Sequence, residues 1–207
     1  MPPRTTNNSR HAWKLGGAIL AGGRARRLDG IAKGLIPHDR GDSIVQRLFD
    51  QMIRAGVEQT VIASADIEAY RSLGHDIVAD RRHDAGPLAG IEAALDHLSP
   101  QCNATIILPC DVPAVSTTEI RRLIDALLES DAQVVYARTD HHFGHPLCAA
   151  VDNRILPEIT AALDMSEHRP RKVWTRVAHL PVQFPDESIF RNLNTKEDLL
   201  RWQQGSF

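Results

Sequence analysis

The feature that most constrains this chain is an apolar run at residues 15–21 that ends abruptly at Gly22 and Gly23. Such a run predicts a buried first strand, and the two glycines let the backbone turn and approach a ligand with no Cβ in the way. A strand that ends in a glycine turn presents backbone N–H groups at the carboxyl edge of a sheet, where open α/β sheets bind ligands. Four cationic residues follow: Arg24, Arg26, Arg27 and Lys33. The stretch therefore predicts a polyphosphate site, and the alternative is a tight turn followed by a solvated basic loop.

This glycine turn matches neither of two common phosphate-binding loops. A P-loop requires Gly-Lys followed by Ser or Thr, but Lys33 lies between Ala32 and Gly34. The dinucleotide fingerprint requires Gly-x-Gly-x-x-Gly, which residues 22–26 do not contain. Neither class of loop therefore accounts for the pattern.

Length, charge and cysteine content exclude several classes of protein. The chain has 207 residues, of which 43% are hydrophobic, and this predicts one domain over residues 15–207. The start of the chain is polar and contains prolines, so we expect a disordered tail at residues 1–14. A net charge of −2 argues against nucleic-acid binding, and the lack of a long apolar run argues against a membrane span. Three irregularly spaced cysteines suit neither a disulfide framework nor a zinc site, so we expect a reducing, cytoplasmic location.

The first half of the chain alternates strand and helix patterns. Apolar runs predict strands at residues 15–21, 59–63, 76–79 and 105–108, and helical patterns cover residues 43–55, 91–98 and 116–129. Ser43 and Ser116 are expected helix caps, and Pro87 marks the start of the second helix. This alternation predicts an α/β fold with a parallel or mostly parallel sheet that is covered on both faces.

In the second half, residues 132–207, strands and helices no longer alternate regularly. Strands are predicted at residues 132–137, 146–151 and 189–193, helices at 155–163 and 195–203, and residues 173–180 are ambiguous. We interpret residues 15–131 and the remainder as two halves of the same domain.

Five short motifs in order carry a resemblance to a known family. They are Leu-Ala-Gly-Gly at residues 20–23, Asp80 with Gly-Pro-Leu-Ala-Gly at 86–90, Pro-Cys-Asp-Val-Pro at 109–113, His145-Pro146, and Asn-Leu-Asn-Thr at 192–195. Together they resemble the molybdenum cofactor guanylyltransferases, over residues 15–202. The resemblance implies a Rossmann-like nucleotidyltransferase fold that transfers GMP from GTP to the terminal phosphate of molybdopterin, or of its molybdenum form, and releases pyrophosphate.

The resemblance also implies a nucleotide site. Its expected members are Leu20, Ala21, Gly22, Gly23, Lys33, Asp80, Gly86, Pro87, Leu88, Gly90 and Asp111. Catalytic roles fall on Arg27, Lys33 and Asp111, with the two cations over the triphosphate. Asp111 follows a buried strand, and Mg²⁺ needs only one or two such carboxylates, so Asp111 is the expected metal ligand. An Asx turn at Asp111 and a helix or turn cap at Asp80 are the structural alternatives.

The acceptor site is expected in the second half. Its implied members are His145, Arg171, Lys172, Asn192 and Asn194. In a short strand the two asparagines would share one face, with Leu193 turned to the core. Solvated basic side chains are the alternative for Arg171 and Lys172, and capping of the final helix is the alternative for Asn194. His141 and His142 are expected to be loop residues, and Cys110 is expected to be a packing residue rather than a nucleophile.

Other activities stay open at this stage. The chain departs from the family pattern at Leu28-Asp29, Ala32, Ala63-Ser64 and Lys196. A cytidylyl or sugar-phosphate nucleotidyltransferase and a nucleotide-binding regulator without turnover are therefore the alternatives. Small-molecule substrates are the expected partners, with other molybdenum cofactor proteins or acceptor molybdoenzymes as further ones.

Overall fold

A computed structural model describes residues 10–22, 27–28, 31–38, 41–82, 84–139 and 144–204. The strands in this part of the chain are β1 (Leu15–Leu20), β2 (Arg27–Leu28), β3 (Ile31–Ala32), β4 (Gln59–Ala63), β5 (Asp76–Val78), β6 (Ala104–Pro109), β7 (Val134–Arg138), β8 (His145–Asp152) and β9 (His179–Gln183). Among the described residues, seven of them form one sheet in the order β5-β4-β1-β6-β8-β7-β9, and β2 pairs with β3 in an antiparallel ribbon.

Helices pack against both faces of this sheet. They are α1 (Ile44–Arg54), α2 (Ile67–Tyr70), α3 (Gly86–Leu98), α4 (Thr117–Leu128), α5 (Leu156–Asp164), α6 (Pro170–Trp174) and α7 (Lys196–Gln203). One apolar cluster joins α1 and α4 to β1 through Ile19, and a second joins α3 and α5 to β1 through Ala18. Successive residues of β1 thus face opposite layers of the core, as in any strand that is covered on both sides. Of the helices described, none has the length and apolar content needed to cross a bilayer.

Four neighbouring strands, β5, β4, β1 and β6, run parallel. Their carboxyl ends therefore meet at one edge of the sheet. Gly17 allows α1 to pack closely on β1, because a Cβ there would lie 2.7 Å from the sulfur of Met52. The predicted α/β fold with a mostly parallel sheet is confirmed.

Strand β8 reverses direction between β6 and β7. It pairs antiparallel with both neighbours, and its register places Ala149 beside Ile107 of β6. As a result, β8 begins at the same edge where β6 ends. His145, the first residue of β8, thereby reaches the edge at which the parallel strands terminate.

Side-chain caps explain where several helices begin. Ser43 and Gln46 form a reciprocal capping box at α1, and Ser116 and Glu119 form another at α4. Pro87 occupies the first turn of α3, where the missing N–H removes no helical hydrogen bond. These starts agree with the sequence pattern.

Two sequence expectations in the second half need correction. The strand predicted at residues 189–193 is instead a 3₁₀ turn at Glu187–Phe190 followed by irregular chain. Phe190 and Leu193 are buried individually in the core, so their apolar pattern reflects anchoring and not strand pairing. The ambiguous residues 173–180 contain the end of α6 and the start of β9, which pairs parallel with β7.

The chain is already docked at Arg10, although the predicted tail extends to residue 14. Arg10 is 5% exposed and begins a short 3₁₀ turn. One of its guanidinium nitrogens donates to the carbonyls of Leu127, Ser130 and Ala132 at 2.9–3.0 Å. Another lies 3.7 Å from the buried carboxylate of Asp152. Arg10, the first described residue, thus supplies hydrogen-bond donors to backbone carbonyls at and just after the end of α4.

Candidate functional site

A cavity of about 620 Å³ opens at the edge where the parallel strands end. Its volume lies within the range of small-molecule sites. Its lining combines residues from both halves of the chain: Leu20, Ala21, Gly22, Lys33, Ala63, Asp80, Asp84, Ala85, Gly86, Pro87, Gly90, Pro109, Cys110, Asp111, Val112, His145, Pro146, Leu147, Cys148 and Asn192. The structure therefore brings most of the expected nucleotide residues together with two of the expected acceptor residues.

Lys33 enters this cavity from a 3₁₀ turn, Lys33–Leu35, and is only 5% exposed. The next residue, Gly34, packs tightly, since a Cβ there would lie 2.6 Å from Val45 and 2.9 Å from the hydroxyl of Tyr70. Burial raises the pKa of this Tyr70 hydroxyl, which remains neutral. The ammonium of Lys33 donates to the amide oxygen of Asn194 at 2.6 Å. Close packing and one short hydrogen bond thus hold the lysine side chain in place.

Asp111 lies just beyond the end of β6 and shares the cavity with Lys33. Burial raises the pKa of its carboxyl group, while the positive charge of Lys33 opposes that rise. The backbone carbonyl of Asp111 accepts a hydrogen bond from the N–H of Leu193 at 2.7 Å. The preceding Cys110 is buried, and burial raises the pKa of its thiol to about 12, which suits the expected packing role.

Backbone hydrogen bonds tie the strand ends on the cavity floor. The N–H of Ala21 donates to the carbonyl of Ala63 at 2.9 Å, and the N–H of Cys110 donates to that of Leu20 at 3.1 Å. The hydroxyl of Ser64 is buried and donates back to Ala21. Ala63 and Ser64, one of the departures from the family pattern, thus both bond to Ala21, directly before the glycine turn.

The loop between β5 and α3 forms another wall. Asp80, Asp84 and Gly86 line the cavity, and Asp84 and Gly86 have φ values of 53° and 66°. The guanidinium of Arg82 donates to both oxygens of Glu92 in α3, at 2.9 and 3.2 Å, and to Asp164 at the end of α5, at 2.7 Å. This arginine ties the loop to two helices.

Gly90, in the first part of α3, also lines the cavity. A Cβ at this position would lie 3.4 Å from a carboxylate oxygen of Asp80 and 3.5 Å from Leu20. These are ordinary van der Waals distances, so the start of α3 lies next to the ends of β1 and β5 without requiring glycine at this position.

The opposite wall comes from the start of β8 and from the irregular chain before α7. The ring of His145 stacks on Phe190, with centroids 4.6 Å apart and planes at 19°. The indole N–H of the buried Trp174 donates to the carbonyl of Pro146 at 2.9 Å, which fixes the backbone beside that histidine. Asn192 is exposed and lines the cavity, and Leu193 is turned to the core.

Several expected site residues lie elsewhere. Leu88, in the first turn of α3, is fully buried in the apolar core and does not line the cavity. Arg171 and Lys172 are exposed on α6 outside the lining, and the ammonium of Lys172 is 3.4 Å from Glu167. Asn194 contacts Lys33, and the cap of α7 is Thr195 with Asp198, so the alternative in which Asn194 caps that helix is wrong.

Some expectations fall on parts of the chain that are not described. Gly23, Arg24, Arg26, Asp29, His141 and His142 lie outside the described residues, and the structure describes only the backbone of Arg27 and Leu28. Sequence reasoning missed Asp84, Ala85 and Leu147 in the lining. For Asp84, its place between Asp80 and the glycine-proline start of α3 is a signal that could have identified it.

Comparison with known proteins adds an independent observation. Residues 17–181 match the family described as the MobA-like NTP transferase domain. The chain belongs to this family. It is 31% identical over 194 residues to the molybdenum cofactor guanylyltransferase of Serratia proteamaculans, with 92% of this chain and 95% of that relative covered.

Solved structures related to this NTP transferase domain share its fold. The molybdopterin-guanine dinucleotide biosynthesis protein A of Archaeoglobus fulgidus superposes with a TM-score of 0.72 at 22% identity, over 91% of this chain and 97% of that one. A Mycobacterium tuberculosis protein solved in complex with manganese gives a TM-score of 0.67 at 21% identity, over 92% and 98%.

Three carboxylates of this NTP transferase domain lie where a metal ion would be needed, at the cavity. Among the described residues, no three His, Cys, Asp or Glu side chains converge as a ready-made metal cluster. Asp80, Asp84 and Asp111 nevertheless all line the cavity that contains Lys33. A hard cation bound through one or two carboxylates, with water and substrate phosphates as its remaining ligands, fits this donor set.

Proposed function

We propose that the protein transfers GMP from GTP to the terminal phosphate of molybdopterin or of its molybdenum form and releases pyrophosphate. One observation carries this proposal: a single cavity joins Lys33 and Asp111 to His145 and Asn192. A nucleotidyl transfer requires a donor and an acceptor side in one site, and residues proposed for both sides line this cavity. The similarity to a protein named molybdenum cofactor guanylyltransferase supports the choice of GTP and molybdopterin.

In the proposed reaction, a phosphate oxygen of the acceptor attacks the α-phosphorus of GTP. A new phosphoanhydride bond forms as the bond from the α-phosphorus to the oxygen of the β-phosphate breaks, and pyrophosphate leaves with that electron pair. The acceptor phosphate is already ionised, so no general base is required.

Lys33 and Arg27 are proposed to bind the triphosphate and to stabilise charge that moves to the leaving pyrophosphate. Asp111 would hold Mg²⁺, which neutralises phosphate charge when bound. The backbone of Leu20, Ala21 and Gly22 would contact the nucleotide, since these residues line the floor of the cavity. Lys33 is buried, so its charge acts where there is little water. Its attraction to phosphate charge is stronger there than in bulk water.

Asn192 is proposed to bind the acceptor, because a neutral amide matches both donors and acceptors of a pterin. Arg171 and Lys172 stay predicted contacts of the acceptor phosphate from the exposed surface of α6. A cytoplasmic location and contacts with acceptor molybdoenzymes also stay predictions.

Pyrophosphate release tests the proposal directly. The full chain is incubated with Mg²⁺, molybdopterin and either GTP, CTP, ATP or UTP, and each nucleotide is also tested for thermal stabilisation of the protein without acceptor. We expect acceptor-dependent pyrophosphate release that is fastest with GTP. Faster release with CTP would identify a cytidylyltransferase, and binding of GTP with no release would identify a nucleotide-binding regulator.

A further inference from the structure

The hydrogen bond between Lys33 and Asn194 joins residues that are 161 positions apart in the chain. At 2.6 Å it is a short, charge-assisted contact between an ammonium group and a neutral amide oxygen. Lys33 lines the cavity and Asn194 does not. Asn194 is exposed and reaches the lysine from the chain just before α7, outside the residues that line the cavity.

The backbone on both sides of Asn194 is held firmly. Leu193 is fully buried, and its N–H donates to the carbonyl of Asp111 at 2.7 Å. The N–H of Asn194 itself donates to the carboxylate of Asp198 in the first turn of α7, at 3.1 Å. The same carboxylate accepts from the N–H of Thr195 at 2.9 Å. These contacts fix the direction in which the Asn194 side chain points.

We infer that Asn194 is a positioning residue that holds the ammonium of Lys33 at the cavity, in place of the acceptor contact expected from the sequence. An ammonium has three N–H donors, so one bond to Asn194 leaves two for phosphate oxygens. A neutral amide also leaves the full positive charge available, whereas a carboxylate at this position would neutralise it. The inference depends on the proposed function only in assigning Lys33 to a triphosphate.

The same arrangement connects the two halves of the chain. Residue 193 contacts the backbone of Asp111, and residue 194 contacts the side chain of Lys33. A displacement of the chain between residues 192 and 195 would therefore move both Asp111 and Lys33, the two residues proposed to act on the nucleotide. Asn192, in the same stretch, faces the cavity as the proposed acceptor contact.

Chemical labelling of lysines tests the positioning without any nucleotide. Parent, Asn194→Ala and Asn192→Ala proteins are treated briefly with an acylating reagent, and the modification rate of each lysine is read by mass spectrometry. Loss of a hydrogen bond to a charged group should accelerate the labelling of Lys33 roughly tenfold in Asn194→Ala. Lys14, at the opposite end of β1, serves as the internal reference, and Asn192→Ala should leave the rate at Lys33 unchanged.

An unchanged rate at Lys33 in Asn194→Ala would overturn the inference. Equal acceleration in both asparagine variants would overturn it as well, because it would indicate general loosening of the chain before α7. Melting temperatures of the three proteins identify a variant that is simply less folded.

A double-mutant cycle then tests whether Asn194 acts through Lys33. Inorganic tripolyphosphate with Mg²⁺ is the probe, so the result does not depend on which base the protein prefers. Asn194→Ala should weaken tripolyphosphate binding roughly tenfold in the parent and less than about twofold in a Lys33→Ala background. Independent, multiplicative losses would overturn the positioning role. Failure of GTP to be preferred over CTP would instead overturn the proposed function and leave this cycle intact.

Discussion

The four parallel strands and the three strands beside them contribute to the cavity in different ways. Strands β1, β4, β5 and β6 each end at the cavity, in Leu20, Ala63, Asp80 and Pro109 or in the residues directly after them. In the other part, β8 contributes its beginning because it runs antiparallel, and Asn192 arrives from irregular chain outside the sheet. The proposed nucleotide side is thus a consequence of topology, whereas the proposed acceptor side depends on individual packing contacts.

This difference has a physical meaning for the two substrates. The nucleotide side is held by backbone hydrogen bonds between neighbouring strand ends, and its lysine is buried. The acceptor side relies on stacking of His145, on the hydrogen bond from Trp174, and on the exposed Asn192. We expect changes on the first side to affect nucleotide chemistry broadly, and changes on the second to affect transfer alone.

The largest expected effect is that of Asp111→Asn. The substitution keeps the shape of the side chain but removes the charge that is proposed to hold the metal. Loss of one preorganised electrostatic group typically costs about 3 kcal/mol in the transition state, or on the order of 100-fold in turnover. Pyrophosphate release measures the loss, and Asp131→Asn, at an exposed position after α4, is the control. Normal turnover in Asp111→Asn would contradict the metal assignment.

Lys33→Ala should weaken binding of GTP roughly 10- to 100-fold, while binding of guanosine stays near the parent value. It also removes the positive charge that opposes the raised pKa of Asp111. That pKa should therefore rise further, and the acidic limb of kcat/KM should move to higher pH. Titration calorimetry and a pH profile measure these effects, with Lys14→Ala as the matched lysine control. If the acidic limb stays at the pH found for the parent, the charge of Lys33 does not control the pKa of Asp111.

Asn192→Ala should affect the acceptor side alone. Removing one amide should lower transfer to molybdopterin about tenfold, with GTP affinity and melting temperature almost unchanged. Comparison of pyrophosphate release with GTP binding in the same preparation gives the answer. A loss of GTP binding together with transfer would place this residue on the nucleotide side.

The smallest expected effect is that of Arg82→Ala, at the loop between β5 and α3. Its partners Glu92 and Asp164 lie on two helices, but these ion pairs are partly exposed. Solvent therefore screens their attraction, and losing them has a small effect. We expect KM for GTP to rise about twofold to threefold with kcat unchanged. Raising the salt concentration should reduce the difference between variant and parent. Equal KM values at low salt would show that the loop is held without this arginine.

Sequence patterns predicted the parallel part well because its signals are local. The apolar run at residues 105–108 is short and rich in β-branched residues, which favours a fully buried strand, and it is the buried centre of β6. The edge strand β9 is exposed and contains Pro181, so its composition does not distinguish it from a loop. Phe190 and Leu193 have the spacing of core residues, which is why residues 189–193 were expected to be a strand.

The site was predictable to the same extent and for the same reason. Motifs next to strand ends identified Lys33, Asp80 and Asp111, since position in the chain and position in the cavity are linked by topology. Contacts between distant segments have no periodic signal. The bond from Lys33 to Asn194 therefore could not be derived from spacing, and it required the packed structure.

Arg10 has a practical consequence for anyone who shortens this protein. Its guanidinium supplies donors for the carbonyls of Leu127, Ser130 and Ala132 and lies beside Asp152. A truncation that starts at β1 would remove that group and leave those carbonyls without it. Expression boundaries and fusion junctions should therefore be placed before residue 10, well upstream of the first strand of the sheet.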